Sequence, residues 1–427
     1  MKKGKDMKTK IICMISFIFA AASYGGNYYF TKGFEDQATY TRNFSDLNNW
    51  AVSEVQYDND YYNSDAIKSS TLPGVGDVIV LGRDSNYNGP TYEAGVTDIL
   101  YIDTDVLVGG INQNTGSPYT KTTVVMAKDG GTLTFDSTKN TQILNKSFDS
   151  EDFRLAMDFS VNYGNNAGFT NSSKNDLYIG AANGSSVAEL KTSDGTANGS
   201  IKEWQLNVTG GGNIIVNTKL ASIKSTTVLI NGGGTGKTIF QGNAASDINT
   251  ITLASEAIVA FDMRDAMVTS MGTFTFVITL RQNSRLEFCG NNQVPLLTEI
   301  RLKNHPSSSN AGVIALQGFD LEVSKINYWL DQYGYVTGTL DFGENSNAQN
   351  LIIGNGIVLS GTKMGEFDSS KTELHIANYV KGEDKIMMGT KLDSELESTL
   401  IFDGIGDKGI DWELVSFMND YGMWEYS

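Results

Sequence analysis

The stretch TVLINGGGTGKTIF, residues 227–240, contains the pattern from which the fold can be predicted. The letters VLI form an apolar run typical of a strand, three glycines follow in a row, and TIF begins a second apolar run. Glycine adopts backbone angles that other residues avoid, and it therefore favours tight turns. We interpret the stretch as strand, turn and strand, with Val228 and Ile230 facing inward and Gly232 ending the first strand.

The letters GTGKT in this stretch also suggest a phosphate-binding P-loop. That motif is G-x-x-x-x-G-K-[ST] placed between a strand and a helix. Gly236, Lys237 and Thr238 fill the last three positions, but Asn231 stands where the first glycine is required. The residues that follow have the pattern of a strand, so no helix N-terminus would face a phosphate. We therefore expect a solvated turn with an exposed Lys237, and no nucleotide binding.

The spaced apolar pair of this stretch recurs along the chain, often two residues before a glycine. Eleven such pairs follow one another at intervals of 22 to 31 residues, and they begin at Val78, Val106, Leu133, Leu155, Leu177, Leu206, Val228, Val259, Leu286, Ile314 and Leu340. A regular interval of this size is typical of solenoids, in which each coil stacks on its neighbours. The sequence therefore predicts an all-β solenoid, with a string of β-sandwiches as the alternative.

Three further segments carry a resemblance to a known group of proteins. They are GGGTGKTIFQGNAASDINTITLASEAIVAFD (232–262), GGTLTFDS (130–137), and NNWAV followed by TLPGVGDVIVLG (71–82). These Gly-Thr-strand-Gly-Asn repeats resemble those of autotransporter passenger-like and pectin-lyase-like surface proteins. The resemblance implies a right-handed parallel β-helix that is exported and often adhesive or structural.

The ends of the chain differ in composition from the middle. Residues 23–70 are rich in aromatic and acidic residues, and residues 401–427 end in WELVSFMNDYGMWEYS. Solenoids need atypical terminal segments to cover their open edges. We therefore predict an N-terminal cap over 23–70, a β-solenoid over 71–400 and a C-terminal cap over 401–427. One short helix is predicted at SKINYWLDQ, residues 324–332.

The first 22 residues have the layout of a secretory signal peptide. Five lysines precede an apolar run of about twelve residues, and small residues follow at 20–23. The run is too short to span a bilayer, so we expect a cleaved signal and a bacterial protein that is secreted or held at the cell surface, with no transmembrane segment. The lone remaining Cys289 excludes an intrachain disulfide in the exported chain.

The charge of the chain restricts its partners. The formal net charge is −17, and removal of residues 1–22, which carry five lysines and one aspartate, would change it to −21. Such a surface repels nucleic acid and anionic membranes. We therefore expect no nucleic acid among the partners, while extracellular glycans or surface proteins stay possible.

The residue types that catalysis and metal binding require are scarce. Only two histidines occur, His305 in a polar loop and His375 in a strand, so a nucleophilic triad or a zinc site is not expected. Calcium is conceivable at two groups of aspartates, neither of which has EF-hand spacing: Asp58, Asp60 and Asp65, and Asp403, Asp407 and Asp411. We assign no catalytic, cofactor-binding or metal-binding residues.

Parallel β-helices also host enzymes that cleave polysaccharides, and these need paired carboxylates. Two close sets occur at strand ends: Asp262 and Asp265 with Arg264 between them, and Asp341 with Glu344. Acidic residues are ordinary in turns, and tyrosines before residue 120, which could stack on sugars, are equally suited to packing a cap.

The sequence therefore favours an exported, non-enzymatic β-solenoid that is adhesin-like or structural. The alternative is a carbohydrate-active β-helix, a lyase or glycosidase, or a glycan-binding module. The outer faces of the solenoid distinguish the two functions. Ladders of Thr, Asn and Ser favour the structural role, whereas a groove with facing carboxylates and aromatic residues favours the enzyme.

Overall fold

The computed structural model describes most of the chain between residues 25 and 426. The described ranges are 25–30, 42–52, 67–81, 98–113, 122–136, 142–146, 152–163, 167–192, 203–222, 226–242, 248–254, 256–263, 276–344, 347–380, 382–389, 399–403, 412–418 and 424–426. The predicted signal peptide lies outside them.

Four sheets contain all 35 strands that the structure describes, and the largest, sheet A, has thirteen. In spatial order its strands are β2 (Trp50–Ala51), β1 (Asn27–Phe30), β3 (Val78–Leu81), β6 (Gly110–Gln113), β9 (Gln142–Lys146), β12 (Ala167–Asn171), β15 (Glu203–Val208), β18 (Thr226–Asn231), β20 (Ile248–Ala254), β22 (Val277–Leu280), β24 (Glu299–Lys303), β27 (Lys325–Leu330) and β30 (Ile357–Gly361).

Sheet B has twelve strands. They are, in spatial order, β4 (Asp98–Ile102), β7 (Thr123–Ala127), β10 (Phe153–Leu155), β13 (Leu177–Ile179), β16 (Ile214–Val216), β19 (Thr238–Gln241), β21 (Ile258–Asp262), β23 (Ser284–Phe288), β25 (Asn310–Ala315), β28 (Thr337–Asp341), β31 (Glu373–Ala377) and β33 (Leu400–Asp403).

Two shorter sheets form parts of a third wall. Sheet C consists of β5 (Val106–Val108), β8 (Leu133–Asp136), β11 (Phe159–Tyr163), β14 (Val187–Thr192) and β17 (Lys219–Ser222). Sheet D consists of β26 (Leu321–Val323), β29 (Asn350–Ile353), β32 (Lys385–Met388), β34 (Trp412–Met418) and β35 (Trp424–Tyr426). Two single 3-10 turns lie at Leu47–Asn49 and Met364–Glu366.

The chain visits the walls in a repeating order, which makes it a parallel β-helix. From β7 to β18 it passes from sheet B to sheet C to sheet A in each coil, and from β18 to β25 it alternates between sheets A and B. Equivalent residues in neighbouring coils of sheet B lie between 21 residues (Phe240 to Phe261) and 37 residues (Ile179 to Val216) apart. The predicted all-β solenoid is confirmed.

The interior is filled by the inward residue of each alternating pair. Phe240, Phe261 and Phe288 stack in three consecutive coils of sheet B, with ring centroids 5.4 and 6.1 Å apart, and all three are fully buried. Each such side chain stabilises the fold by roughly 1.5–3 kcal/mol relative to its exposure in water. Stacking therefore couples coils that are separated in sequence.

The opening stretch of the sequence has the predicted geometry. Val228 and Ile230 are buried in β18, which ends at Asn231, and the turn leads directly into β19. The predicted repeat exists, but its members do not all belong to one wall of the solenoid. Val106 and Leu133 lie in sheet C, Leu155 in sheet B and Val228 in sheet A. Every wall uses the same apolar alternation, so the pattern alone does not identify the wall.

The helix predicted at residues 324–332 is wrong. Residues Lys325–Leu330 form strand β27, which pairs in parallel with β24 and β30. Its inward residues Ile326, Tyr328 and Leu330 are all buried. Pairing on both sides and burial of alternate residues outweigh the weak local preference of this segment.

The two ends of the described chain differ from the middle in their pairing. Strand β1 pairs in parallel with β3 but antiparallel with β2, and β34 pairs in parallel with β32 but antiparallel with β35. The pairs β1–β2 and β34–β35 are the antiparallel ones among the described strands, and the other strand pairs are parallel. The parallel stacking continues past residue 345, through β29 to β33 and into β34. The predicted cap boundaries stay predictions.

Candidate functional site

A ladder of amide and hydroxyl side chains runs along the outer face of the first half of sheet A. Its members are register partners in successive strands, and we call them the amide ladder: Asn112, Asn145, Thr170, Asn207 and Asn231. All are half-buried. The Asn231 Nδ2 donates to the Asn207 Oδ1 at 2.8 Å, and the Asn207 Nδ2 donates to the Thr170 Oγ1 at 3.2 Å. These bonds join neighbouring coils and leave a flat polar surface.

Threonines continue this face into the middle of the sheet. Thr227 is the register partner of Thr250, and Thr252 is the partner of Thr279. Strands in a sheet lie about 4.8 Å apart. Each pair therefore places two hydroxyl groups about one strand spacing apart, in two columns beside that of the amide ladder.

The last third of the same face carries charge instead. The side chain of Glu299 is 5% exposed and accepts hydrogen bonds from Arg301 Nε at 2.6 Å and Asn327 Nδ2 at 2.7 Å, with Lys325 Nζ at 3.2 Å. Burial acts to raise the pKa of this carboxyl, but the bonds from Arg301, Asn327 and Lys325 outweigh it and hold the pKa below its ordinary value. The guanidinium of Arg301 also lies over the ring of Trp329, 4.5 Å from its centroid.

On the outer face of sheet B, four charged residues form a continuous chain of ion pairs. Glu287 binds Lys237 at 2.6 Å and Arg285 at 2.8 Å, and Arg285 continues to Asp341 at 3.3 Å. Glu287 is buried whereas its partners are half-buried. The chain of charges ties residues that lie up to 104 positions apart, from 237 to 341, into one surface.

A groove of about 560 Å³ opens at the corner between sheets B and C. Six of the residues that line it are Met126, Thr132, Asp158, Ser160, Val187 and Glu189. Ser160 and Glu189 are register partners, and the Asp158 Oδ1 accepts a hydrogen bond from the Val187 backbone N–H at 2.8 Å. Two carboxylates and an apolar floor therefore line one groove, which sequence reasoning did not identify.

Comparison with known proteins identifies no relative of this chain. No protein family, curated protein or solved structure matches this chain.

The described residues contain no group of three or more His, Cys, Asp or Glu that could hold a metal ion. Within the same residues, no helix has the length and apolar character to cross a membrane.

The P-loop-like residues lie in a turn between two coils. The Lys237 side chain pairs with Glu287, its backbone N–H donates to the Asn213 Oδ1 at 2.9 Å, and Thr238 begins a strand. The predicted turn is confirmed, but Lys237 is half-buried and ion-paired and is not a solvated lysine. The absence of nucleotide binding stays a prediction.

The two histidines lie on separate elements, as the sequence indicated. His305 sits in a turn, where its Nδ1 is 2.8 Å from the Ser307 Oγ, and His375 lies in β31 with its Nε2 3.0 Å from the Glu373 Oε2. Cys289 is a half-buried thiol. None of the contacts described for these residues brings them together.

Two of the carboxylates singled out from the sequence, Asp262 and Asp341, have hydrogen-bond partners. Asp262 lies 3.4 Å from the Gln241 Nε2, and Asp341 binds Arg285 and the Asn378 Nδ2. Glu344 is exposed. Arg264 and Asp265 lie outside the described residues, as do Asp58, Asp60, Asp65, Asp407 and Asp411, whereas Asp403 lies in β33.

The aromatic residues of the second half were missed as functional candidates. Trp329, Tyr333 and Tyr335 all come from the segment YWLDQYGY, residues 328–335, whose first five residues belong to the predicted helix. Its density of aromatic residues was a usable signal. In a strand, Trp329 points outward, next to Arg301 on the neighbouring coil.

Proposed function

We propose that this chain is an exported, non-enzymatic β-solenoid that acts as adhesive or structural material at or outside the surface of a bacterial cell. The observation that carries the proposal is the outer face of sheet A. There the amide ladder occupies register positions in five successive coils, and two pairs of threonines lie in the columns beside it.

A regular polar face supports a surface role for a physical reason. Amides that bond to the next coil hold the face rigid, so a partner that binds it does not have to order it. Hydroxyl and amide groups at a fixed interval offer the same weak contact repeatedly along the stack. Many weak contacts in parallel give strong attachment to an extended partner, such as a polymer or a second surface.

One of the carboxylates that the sequence offered for hydrolysis, Asp341, is bound by other side chains. They are the side chains of Arg285 and Asn378. A general acid must be available to protonate a leaving group. This use of Asp341 supports a structural role for it.

The test uses the full chain in two assays on the same preparations. One measures retention of the protein on bacterial cells and on immobilised polysaccharides, and the other measures new reducing or unsaturated sugar ends. We expect retention without new ends. Release of new ends from any polysaccharide, at a rate proportional to protein concentration, would overturn the proposal.

The groove between sheets B and C favours a second candidate, a carbohydrate-active β-helix. Asp158 and Glu189 line one cavity large enough for a sugar unit. If new sugar ends form, this candidate predicts that Asp158→Asn and Glu189→Gln each abolish the release while leaving retention on cells unchanged. Release that persists in both variants would contradict the groove as its site.

A further inference from the structure

One corner of the solenoid combines aromatic rings with an excess of positive charge. It lies where β24 and β27 of sheet A lead into the turns toward sheet B. We call it the corner patch, and define it by six residues: Arg301, Lys303, Trp329, Asp331, Tyr333 and Tyr335.

The aromatic rings of the patch are held in fixed positions. The rings of Tyr333 and Tyr335 stack with centroids 5.5 Å apart, and the Tyr333 hydroxyl donates to the Pro306 carbonyl at 2.8 Å. Arg301 stacks on Trp329 from the neighbouring coil. All three rings are half-buried, so part of each faces outward.

A single buried asparagine organises the loop that carries the two tyrosines. Asn304 is fully buried, and its Nδ2 donates to the carbonyls of Tyr333 and Tyr335 at 2.7 and 2.8 Å. Its Oδ1 accepts from the backbone N–H groups of Asp331 and Gln332 at 3.0 and 2.9 Å. The platform is therefore formed before any ligand arrives, which reduces the entropy cost of binding.

The charge around the patch is positive although the chain as a whole is acidic. The coils that meet at the patch carry six cations and four carboxylates: Arg281, Arg301, Lys303, Lys325, Lys363 and Lys371, and Glu299, Asp331, Glu366 and Asp368. Five of the six cations are paired with one of these carboxylates, and the local excess is two positive charges. The pKa of the adjacent His305 is lowered by burial and then by the charges of Arg281 and Lys303. The formal charge of the whole chain is −17.

We propose that the corner patch binds saccharide chains that carry anionic substituents, sulfate or carboxylate. Flat aromatic faces pack against the apolar faces of sugar rings, and the amphipathic tyrosines can also bond to hydroxyl groups. Arg and Lys provide charge-assisted hydrogen bonds to sulfate or carboxylate. The inference rests on the proposed function in that it names a ligand class for the surface protein.

A second stacked pair on the molecule serves as a matched control. Arg154 lies over the ring of Tyr178 at 3.9 Å on the outer face of sheet B. There the pKa of Tyr178 is raised by burial and then by the negative charges of Asp152 and Asp176. The two sites share an arginine on an aromatic ring but differ in the sign of the surrounding charge.

The experiment measures binding of the full chain to four probes of defined composition. Dextran sulfate and carboxymethyl-dextran carry the two anionic groups on one sugar backbone, dextran carries neither, and polyvinyl sulfate carries sulfate without sugar. We expect at least tenfold tighter binding to one or both anionic dextrans than to dextran or to polyvinyl sulfate. Binding should weaken as salt increases.

The variants locate the site. Trp329→Ala should weaken binding to the anionic dextrans about tenfold, a change equivalent to about 1.4 kcal/mol, and Lys303→Gln should weaken it and reduce its salt dependence. Trp329→Phe, which keeps a ring, should restore most of the affinity, and Tyr178→Ala should leave it unchanged. Melting curves of each variant show whether it is folded, and Lys303→Gln and Trp329→Phe remain informative if Trp329→Ala is unstable.

Three results would overturn the inference. They are binding of polyvinyl sulfate as tight as that of the better-bound anionic dextran, equal losses in the Trp329→Ala and Tyr178→Ala variants, and no binding to either anionic dextran. If the chain still attaches to cells in any of these cases, the proposed function survives and only this site is lost. If the chain neither attaches to cells nor binds any polysaccharide, the proposed function fails as well.

Discussion

Gly236 stands where the backbone of the previous coil leaves no room for a side chain. A Cβ atom at this position would lie 2.1 Å from the Gly212 carbonyl oxygen, and at Gly212 itself 2.1 Å from the carbonyl oxygen of Asn175. The backbone N–H of Gly236 also donates to the Gly210 carbonyl at 3.1 Å. A turn can approach the backbone of the previous coil this closely only where its own residue is glycine.

Replacing Gly236 by alanine should therefore destabilise the protein. The clash is with backbone, which no side-chain rotation relieves, and overpacking of this kind costs about 1–3 kcal/mol. Gly365→Ala is the control, since a Cβ there has no atom within 4 Å. Denaturant unfolding of both variants checks the prediction, and a Gly236→Ala variant as stable as wild type would contradict the close stacking.

At the scale of the sheet, pairing between neighbouring strands brings side chains of opposite charge together. Glu299 on β24 faces Lys325 on β27, its register partner, and both lie beside Arg301 and Asn327. A buried carboxylate is costly unless it is paired and hydrogen-bonded. The three bonds to Glu299 meet that requirement and lower its pKa.

This arrangement predicts a specific loss of stability in acid. The pKa of Glu299 is lower in the folded chain than in the unfolded chain. The stabilisation that the ionised Glu299 provides is therefore complete above the ordinary pKa of 4.5, and it is lost as the pH falls through the folded pKa. The Glu299→Gln variant should lose less stability than wild type between pH 7 and pH 3. Unfolding at both pH values measures the difference, and the exposed Glu256→Gln is the control. Equal acid sensitivity of wild type and Glu299→Gln would show that the ion pairs contribute nothing.

At the scale of the whole molecule, parallel stacking produces an elongated body with open ends. Thirteen strands of sheet A at a spacing of about 4.8 Å extend roughly 58 Å along the axis. The antiparallel pairs β1–β2 and β34–β35 lie at the two ends of the described stack. Unpaired strand edges promote association between molecules, and covering segments prevent it.

Deletion of residues 401–427 should therefore expose the edges of β31 and β32, with which β33 and β34 pair. We expect a lower melting temperature and self-association, measured by thermal unfolding and by light scattering after size-exclusion chromatography. A truncated chain that stays monodisperse and melts with the full-length protein would refute the cap assignment.

The sequence alone was sufficient for the class of fold. Alternation of apolar residues and runs of glycine are local features, and a strand such as β18 with its turn to β19 can be recognised from fourteen residues. The same locality produced the error at β27, because a short aromatic segment has no strong preference until neighbouring strands pair with it. The two parallel partners of β27, β24 and β30, come from other coils.

Only the tertiary structure decided which residues share a surface. The spacing between equivalent residues in neighbouring coils varies from 21 to 37 residues in sheet B, so no fixed period aligns them. Lys237 therefore meets Glu287 two coils away, and Arg301 meets Trp329 across one coil. Hydrogen bonding between strands and burial of the inward residues set this register. The amide ladder, the groove and the corner patch follow from it.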